Sequence, residues 1–250
     1  MIRKTALALL LAAAGINAHA ALSAGDIAFT SFNADEDSWA IVALKDISAN
    51  TSVYFSDNEW NGSAWNDTNE HSLVWNSGAQ TIAAGTVVSF LEIDASPDVI
   101  SASIGTLSVA AGTGTNLGLS KSDETFYAFL GTSAAAPTTF LTAITTEANS
   151  ALANTTNAGL TIGLNATALS NDADFGEYTA TRAGLATFGA YAPLVFNNTN
   201  WTMAGSGEFT GQALNTTAFS VTAVPEPKNY AMFLAGLGLM GLIARRQSNR

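Results

Sequence analysis

Through the middle of the chain, apolar and polar residues either alternate or gather in short blocks, at the spacing of β-strands. Asp26-Ile-Ala-Phe-Thr-Ser-Phe32 alternates, with Ile27 and Phe29 on one face. Trp39-Ala-Ile-Val-Ala-Leu44 is a fuller apolar run, the pattern of a strand buried on both faces. Val53-Tyr-Phe55, Leu73-Val-Trp75, Thr86–Leu91 and Thr125–Leu130 continue the series. Turn residues separate them, among them Ala49-Asn50-Thr51, Asn61-Gly62, Ser77-Gly78 and Ala84-Gly85. Short strands at about ten-residue spacing predict an all-β fold, an antiparallel immunoglobulin-like sandwich, over residues 21–223. Helix signals are scarce, and only Thr146–Ala153 reads as a short helix. No repeat period marks a solenoid or a propeller.

The densest apolar runs lie at the ends, Ala6–Ala14 and Tyr230–Ala244. Arg3 and Lys4 precede the first run, and Ala18-His19-Ala20 follows it. This is the basic, apolar and small-x-small order of a secretory signal peptide over residues 1–20, a helix removed by cleavage after Ala20. The small side chains of Ala18 and Ala20 fit the peptidase pockets. The second run reads as a single C-terminal transmembrane helix, residues 230–244, bounded by Arg245 and Arg246. Fifteen residues span roughly 22 Å, less than a bilayer core of about 30 Å, so this helix inserts but anchors weakly. The positive-inside rule places Arg245 and Arg246 in the cytoplasm and the preceding segment outside.

Charge narrows the choice of partners. Between residues 21 and 224 the basic residues are three, Lys45, Lys121 and Arg182, against 19 acidic ones, a formal charge of −16. Such a body repels phosphate backbones, so nucleic acid is excluded as a partner, while solubility and divalent cations are favoured. Cysteine is absent. Disulfides, thiolate nucleophiles and Cys-ligated zinc are thereby excluded, and the core alone must supply the stability.

Val224-Pro225-Glu226-Pro227, the Gly-containing apolar run 230–244 and the arginines Arg245 and Arg246 together resemble the PEP-CTERM sorting signal of Gram-negative bacteria. The resemblance covers about the last 27 residues, 224–250, and the basic cluster is thinner than usual, two arginines and then Arg250. It implies processing by an exosortase, a membrane-embedded transpeptidase that cuts near Pro225–Pro227. It further implies export through the inner membrane, transient membrane attachment, and a final place at the cell surface or in an extracellular polysaccharide matrix such as a biofilm. A second resemblance covers residues 21–91, carried by Gly25-Asp-Ile-Ala-Phe29, Phe32-Asn-Ala-Asp35, Trp39–Leu44, Asp46-Ile47 and Val53–Trp60. It is similar to the lamin-tail type of immunoglobulin-like module found in large bacterial exoproteins, which implies adhesion or matrix contact rather than catalysis.

Candidate chemistry lies mainly in two acidic loops. Asp35-Glu36-Asp37 and Asp57-Asn58-Glu59 sit at predicted strand ends. Calcium takes six to eight oxygen ligands from such loops. Asp35, Asp37, Asp57, Asn58 and Glu59 are therefore the candidate metal ligands, and calcium is the one cofactor the sequence admits. Asn171-Asp172-Ala173-Asp174 is a third loop of this kind; none has EF-hand spacing. Solvated loop charge is the plainer explanation of all three. Trp60 and Trp65, with Asn58, Glu59, Asn61 and Asn66 beside them, form a candidate glycan-binding loop, against the plainer role of anchoring the loop to the core. Once His19 leaves with the signal, His71 is the only histidine. With no Gly-x-Ser-x-Gly elbow, a hydrolase triad has no parts, and no catalytic residues are assigned. The expected function is structural or adhesive, without enzymatic activity. Two alternatives remain: a secreted glycan hydrolase using a carboxylate pair, and a lectin-like module.

Overall fold

The computed structural model describes residues 21–66, 69–91, 99–114, 118–147, 152–222, 232–237 and 240. The protein is all-β at its core, built as two six-stranded sheets. The first has the order β12 (Trp201–Ala204), β11 (Phe175–Tyr178), β1 (Ile27–Asn33), β2 (Ser38–Ala43), β5 (Val87–Leu91), β6 (Ser101–Ala102). The second has the order β10 (Ala166–Ala168), β9 (Ala136–Thr145), β8 (Thr125–Ser133), β3 (Ser52–Ser56), β4 (Ser72–Asn76), β7 (Thr106–Val109). Among these, β9 and β10 pair in parallel and the other neighbours are antiparallel.

Side-chain alternation explains how the sheets meet. In β3, Val53 and Phe55 point into the shared core while Tyr54 points outward; in β8, Phe126 and Ala128 point in and Tyr127 and Phe129 out. Phe55 and Phe126 meet aromatic rings of the first sheet. Trp39 lies 5.1 Å from Phe55 and 4.8 Å from Phe126, centroid to centroid, and stacks on Phe90 at 5.0 Å. Trp75 closes the group edge-on to Phe90 at 5.5 Å, its indole N–H donating to Ile104 O at 2.8 Å. Without cysteine, this interdigitated aromatic layer holds the two sheets together.

Both faces of the first sheet are covered. β2 is buried at every position, as its unbroken apolar run predicts. β1 is also buried throughout, although its sequence alternates. Helix α2 (Ala192–Val195) packs against β1, and Phe219 N donates to Gly85 O at 2.8 Å. The residues of this second layer come from far along the chain, so local periodicity could not announce them. Arg182 secures the layer: its guanidinium donates to the carbonyls of Asn215, Thr217 and Tyr178 at 3.2, 2.9 and 3.2 Å and lies over the Phe219 ring. Burial lowers its pKa from the usual arginine value.

The predicted helix Thr146–Ala153 does not include its first two residues. Thr146 and Glu147 are not helical; Thr146 N donates to Glu124 O at 2.9 Å, which prolongs the β8–β9 pairing. Residues 148–151 lie outside the described residues, and α1 (Leu152–Asn157) is helical from the last two residues of the expected span onward. At the far end, 232–237 is helical, and Met232, Phe233, Leu234 and Leu237 are exposed and belong to neither hydrophobic cluster. Among the described residues no helix is long and apolar enough to cross a membrane. Most of the expected span 230–244, with Ala18, Ala20, Pro225, Glu226, Pro227, Arg245 and Arg246, lies outside the described residues.

Candidate functional site

Strand register gathers acidic residues at one end of the second sheet. Ser56, the last residue of β3, pairs with Ser72 of β4 and with Tyr127 of β8. Both neighbours run antiparallel to β3, so continuing the register past its end sets Asp57 and Asn58 opposite His71 and Glu70 on one side and opposite Phe126 and Thr125 on the other, with Glu124 the next residue along. The β1–β2 loop adds Asp37 from the facing sheet, where Asp37 Oδ1 accepts from Leu119 N at 2.5 Å. Asp37, Asp57, Asn58 and Glu124 are all buried.

The hydrogen bonds at this end are unevenly distributed. Glu124 accepts from Thr125 N at 3.1 Å and Ser120 N at 3.3 Å. Asn58 Nδ2 donates to Ser56 Oγ at 3.0 Å and to Glu70 O at 3.3 Å. Ser72 Oγ donates to Ser56 Oγ at 2.9 Å. Asp57 Oδ1, Asn58 Oδ1 and His71 Nδ1 meet no hydrogen-bond partner in the protein. A cleft of about 30 Å³ opens beside Asn58, lined also by Glu70, Ser72, Trp65 and the 112–113 turn. That volume admits water molecules or an ion.

Electrostatics follow from burial and like charge. Desolvation, then the charges of Glu70 and Asp37, push the Asp57 carboxyl up to about 8. Desolvation, then Asp57 and Glu70, push Glu124 up to about 9, against the two backbone N–H bonds it accepts. The folded state therefore holds protons that the unfolded chain, with ordinary values of 3.8 and 4.5, releases. The stability these groups contribute is fully present below pH about 4 and is lost as pH rises toward 8–9. In EDTA, the thermal midpoint is expected to fall by several degrees between pH 5 and pH 9, measured by circular dichroism. Replacing Glu124 with Gln is expected to flatten that slope.

The sequence-predicted ligands divide. Asp37, Asp57 and Asn58 come together. Asp35 and Glu59 do not join them: Asp35 is exposed and accepts from Phe209 N at 2.8 Å, and Glu59 is exposed. Asp174 of the third acidic loop accepts from Gly207 N at 2.9 Å and pairs with Lys121 at 3.5 Å. Glu70 and Glu124 were missed. Glu124 directly precedes a predicted strand, and pairing that strand antiparallel to Val53–Phe55 would have located it. Among the described residues, no three His, Asp or Glu side chains converge tightly enough to enclose a metal.

Trp60 and Trp65 sit on the outer face of the second sheet. They bridge to each other with rings edge-on at 5.0 Å and rest on Phe140, while Trp65 Nε1 donates to Ala134 O at 3.0 Å. Asn61 and Asn66 bond each other at 2.7 Å, and Asn61 Oδ1 also accepts from Ser63 N and Ala64 N. Most polar groups of the loop are thus engaged within it, and the rings anchor it to the sheet.

No protein-family model matches the chain, and neither a curated protein nor a solved structure is detectably similar to it. Function must be argued from the residues themselves.

The loop carrying Glu70 is held by close backbone approach. Gly114 N donates to Glu70 O at 3.1 Å, and a Cβ on Gly114 would collide with the Asn69 carbonyl. Gly114→Ala is expected to destabilise the protein by about 1–3 kcal/mol, measured by urea unfolding, because backbone rather than a flexible side chain must yield.

Proposed function

We propose that the protein is exported through the inner membrane, is sorted by an exosortase, and serves a structural or adhesive role with extracellular polysaccharide. The observation that supports this reading is the sequence order Pro225-Glu226-Pro227, an apolar run and Arg245-Arg246, together with residues 1–20, which read as a secretory signal. The helical stretch 232–237 is consistent with it, since an apolar helix that takes no part in the core suits a lipid environment. The acidic, cysteine-free body fits an extracellular location in which its aromatic core carries the stability. The same proposal takes the two sheets as an immunoglobulin-like sandwich of the lamin-tail kind over 21–91. Those residues share one continuous core with later strands, through Phe126 among others.

The glycan-hydrolase alternative draws less support. The cleft beside Asn58 has Glu70 as its one carboxylate lining residue, and its roughly 30 Å³ is too small for a sugar ring. A lectin-like role would rest on Trp60 and Trp65, whose rings and neighbouring amides are already engaged. Fractionating cells that express the protein tests the matrix role. The protein is expected in the extracellular polysaccharide fraction, released by glycanase digestion. Recovery solely as freely soluble protein in the medium would contradict it.

A further inference from the structure

We propose that the cleft between the 161–165 loop and the turn after α2 binds one uncharged sugar ring. The choice of a sugar rests on the matrix reading, to which it adds a contact site for the polysaccharide; the cleft itself stands on the geometry of the folded body.

Three observations carry it. First, the cleft has the size of one ring and fixed walls. It measures about 280 Å³ and is lined by Ile162, Gly163, Pro193, Phe196, Asn197 and Asn198. That is just under the roughly 300–1,000 Å³ of sites for drug-sized molecules. In the loop, Thr161 O accepts from Leu164 N and Asn165 N, both at 3.1 Å, and Gly163 N donates to Ala166 O at 2.9 Å. On the other side, Asn200 Nδ2 donates to Leu194 O at 2.9 Å. Trp201 Nε1 and Thr167 Oγ1 donate to Val195 O at 2.7 and 3.4 Å. The last of these bonds ties β10 to α2, so the opening is set before any ligand arrives.

Second, the polar groups at the cleft have hydrogen bonds to give. Asn197 Oδ1 accepts from Thr199 N at 3.1 Å and from Thr199 Oγ1 at 2.9 Å. Those two bonds fix which way the amide faces and leave its nitrogen without a partner among the described residues. The neighbouring amide of Asn198 has no side-chain partner among them either. Two adjacent amides, one of them held in place, suit the hydroxyl oxygens of a sugar.

Third, the lining selects an uncharged ligand with an apolar face. No charged side chain lines the cleft, although residues 21–224 hold 19 acidic residues and a formal charge of −16. A cation would find no carboxylate there, and an anion would approach against the field of the body. Ile162, Phe196 and Pro193 supply the apolar lining. Leu164, next to Gly163, is 65% exposed, the most exposed large apolar side chain among the described residues before 223. A sugar ring presents C–H groups to such a surface and hydroxyls to the amides.

The test uses the full chain purified in mild detergent, with saturation-transfer NMR and calorimetry as readouts. The probes are methyl glucoside, methyl galactoside, methyl mannoside and N-acetylglucosamine. At least one is expected to bind saturably at one site per chain, with a dissociation constant of about 1–10 mM, the range for a ligand this small. Glucuronic acid, a sugar ring that carries a carboxylate, is expected to bind about tenfold more weakly than the best neutral probe. Asn197→Asp keeps an oxygen to cap Thr199 N and removes the free donor. It is expected to weaken binding about tenfold while the thermal midpoint stays as in the wild type, which separates lost binding from lost folding. Asn198→Ala is expected to act in the same direction, and Trp60→Phe should bind as the wild type does. The proposal is overturned if none of the four neutral sugars binds saturably up to about 100 mM. It is equally overturned if Asn197→Asp and Asn198→Ala bind with undiminished affinity, or if glucuronic acid binds as tightly as the neutral probes. Each failure leaves the sorting and matrix readings untouched, because those are read from the mass of the processed chain and from cell fractionation.

Discussion

Trp39→Ala is expected to remove about 3–5 kcal/mol of stability, enough to leave a large fraction of the chain unfolded at 37 °C. Trp39 is fully buried and touches Phe90 of its own sheet and Phe55 and Phe126 of the other. Truncation opens a cavity where the sheets interdigitate, and no disulfide compensates for it. Trp39→Phe provides the contrast. The indole N–H of Trp39 has no hydrogen-bond partner in the protein, so phenylalanine keeps most of the ring contact and removes an unsatisfied donor. That variant is expected to lie within about 1.5 kcal/mol of the wild type. Urea unfolding followed by circular dichroism distinguishes the two. Equal losses for both variants would mean that the inter-sheet aromatic layer does not hold the fold together.

The strands that formed this layer were the most legible part of the sequence. β1 to β5 and the start of β8 fall where alternating or unbroken apolar runs lie between Gly- and Asn-rich turns. At Gly78 and Gly85 the backbone has φ of 86° and 90°, a conformation that favours glycine, so those turn signals had a direct physical cause. The later strands were hidden for equally physical reasons. β11 is Phe-Gly-Glu-Tyr and β10 is Ala-Thr-Ala, too short and too poor in large apolar residues to show a period. β9 is long, but the register shifts along its pairing with β8 break the simple alternation. The non-helical start of the predicted helix has a similar origin: Thr146 continues a sheet pairing that helix propensity does not register.

The acidic end was half legible. Asp37, Asp57 and Asn58 stood out as clusters beside predicted strands. Glu70 and Glu124 lie outside the acidic loops singled out in the sequence, and only the β4–β3–β8 order brings them near Asp57. Asp35 belongs to the same sequence cluster as Asp37 but faces the other way. It pins the 209 backbone instead, because residues two apart on a tight turn project in different directions.

Pro225→Ala combined with Pro227→Ala is expected to abolish processing. Prolines on either side of Glu226 disfavour helix at that point of the sequence, as a protease recognition segment ahead of an apolar run would require. With alanines, the apolar helix can continue toward the body and the recognition sequence is lost. Immunoblots of fractionated cells should show the uncut form accumulating in the inner membrane, with the released form reduced to a trace. Replacing Arg245 and Arg246 with Gln is expected to act in the same direction but less completely, since on the proposed topology it would weaken only the cytoplasmic stop. Normal release of the double proline variant would remove the basis for assigning a sorting signal.

Intact-mass spectrometry of the protein recovered from the cell surface or medium tests the central claim most directly. A chain that begins at Ala21 and ends near Pro225–Pro227, with or without added sugar, is the predicted result. A chain that still carries Arg250 would contradict it and mark a resident membrane protein.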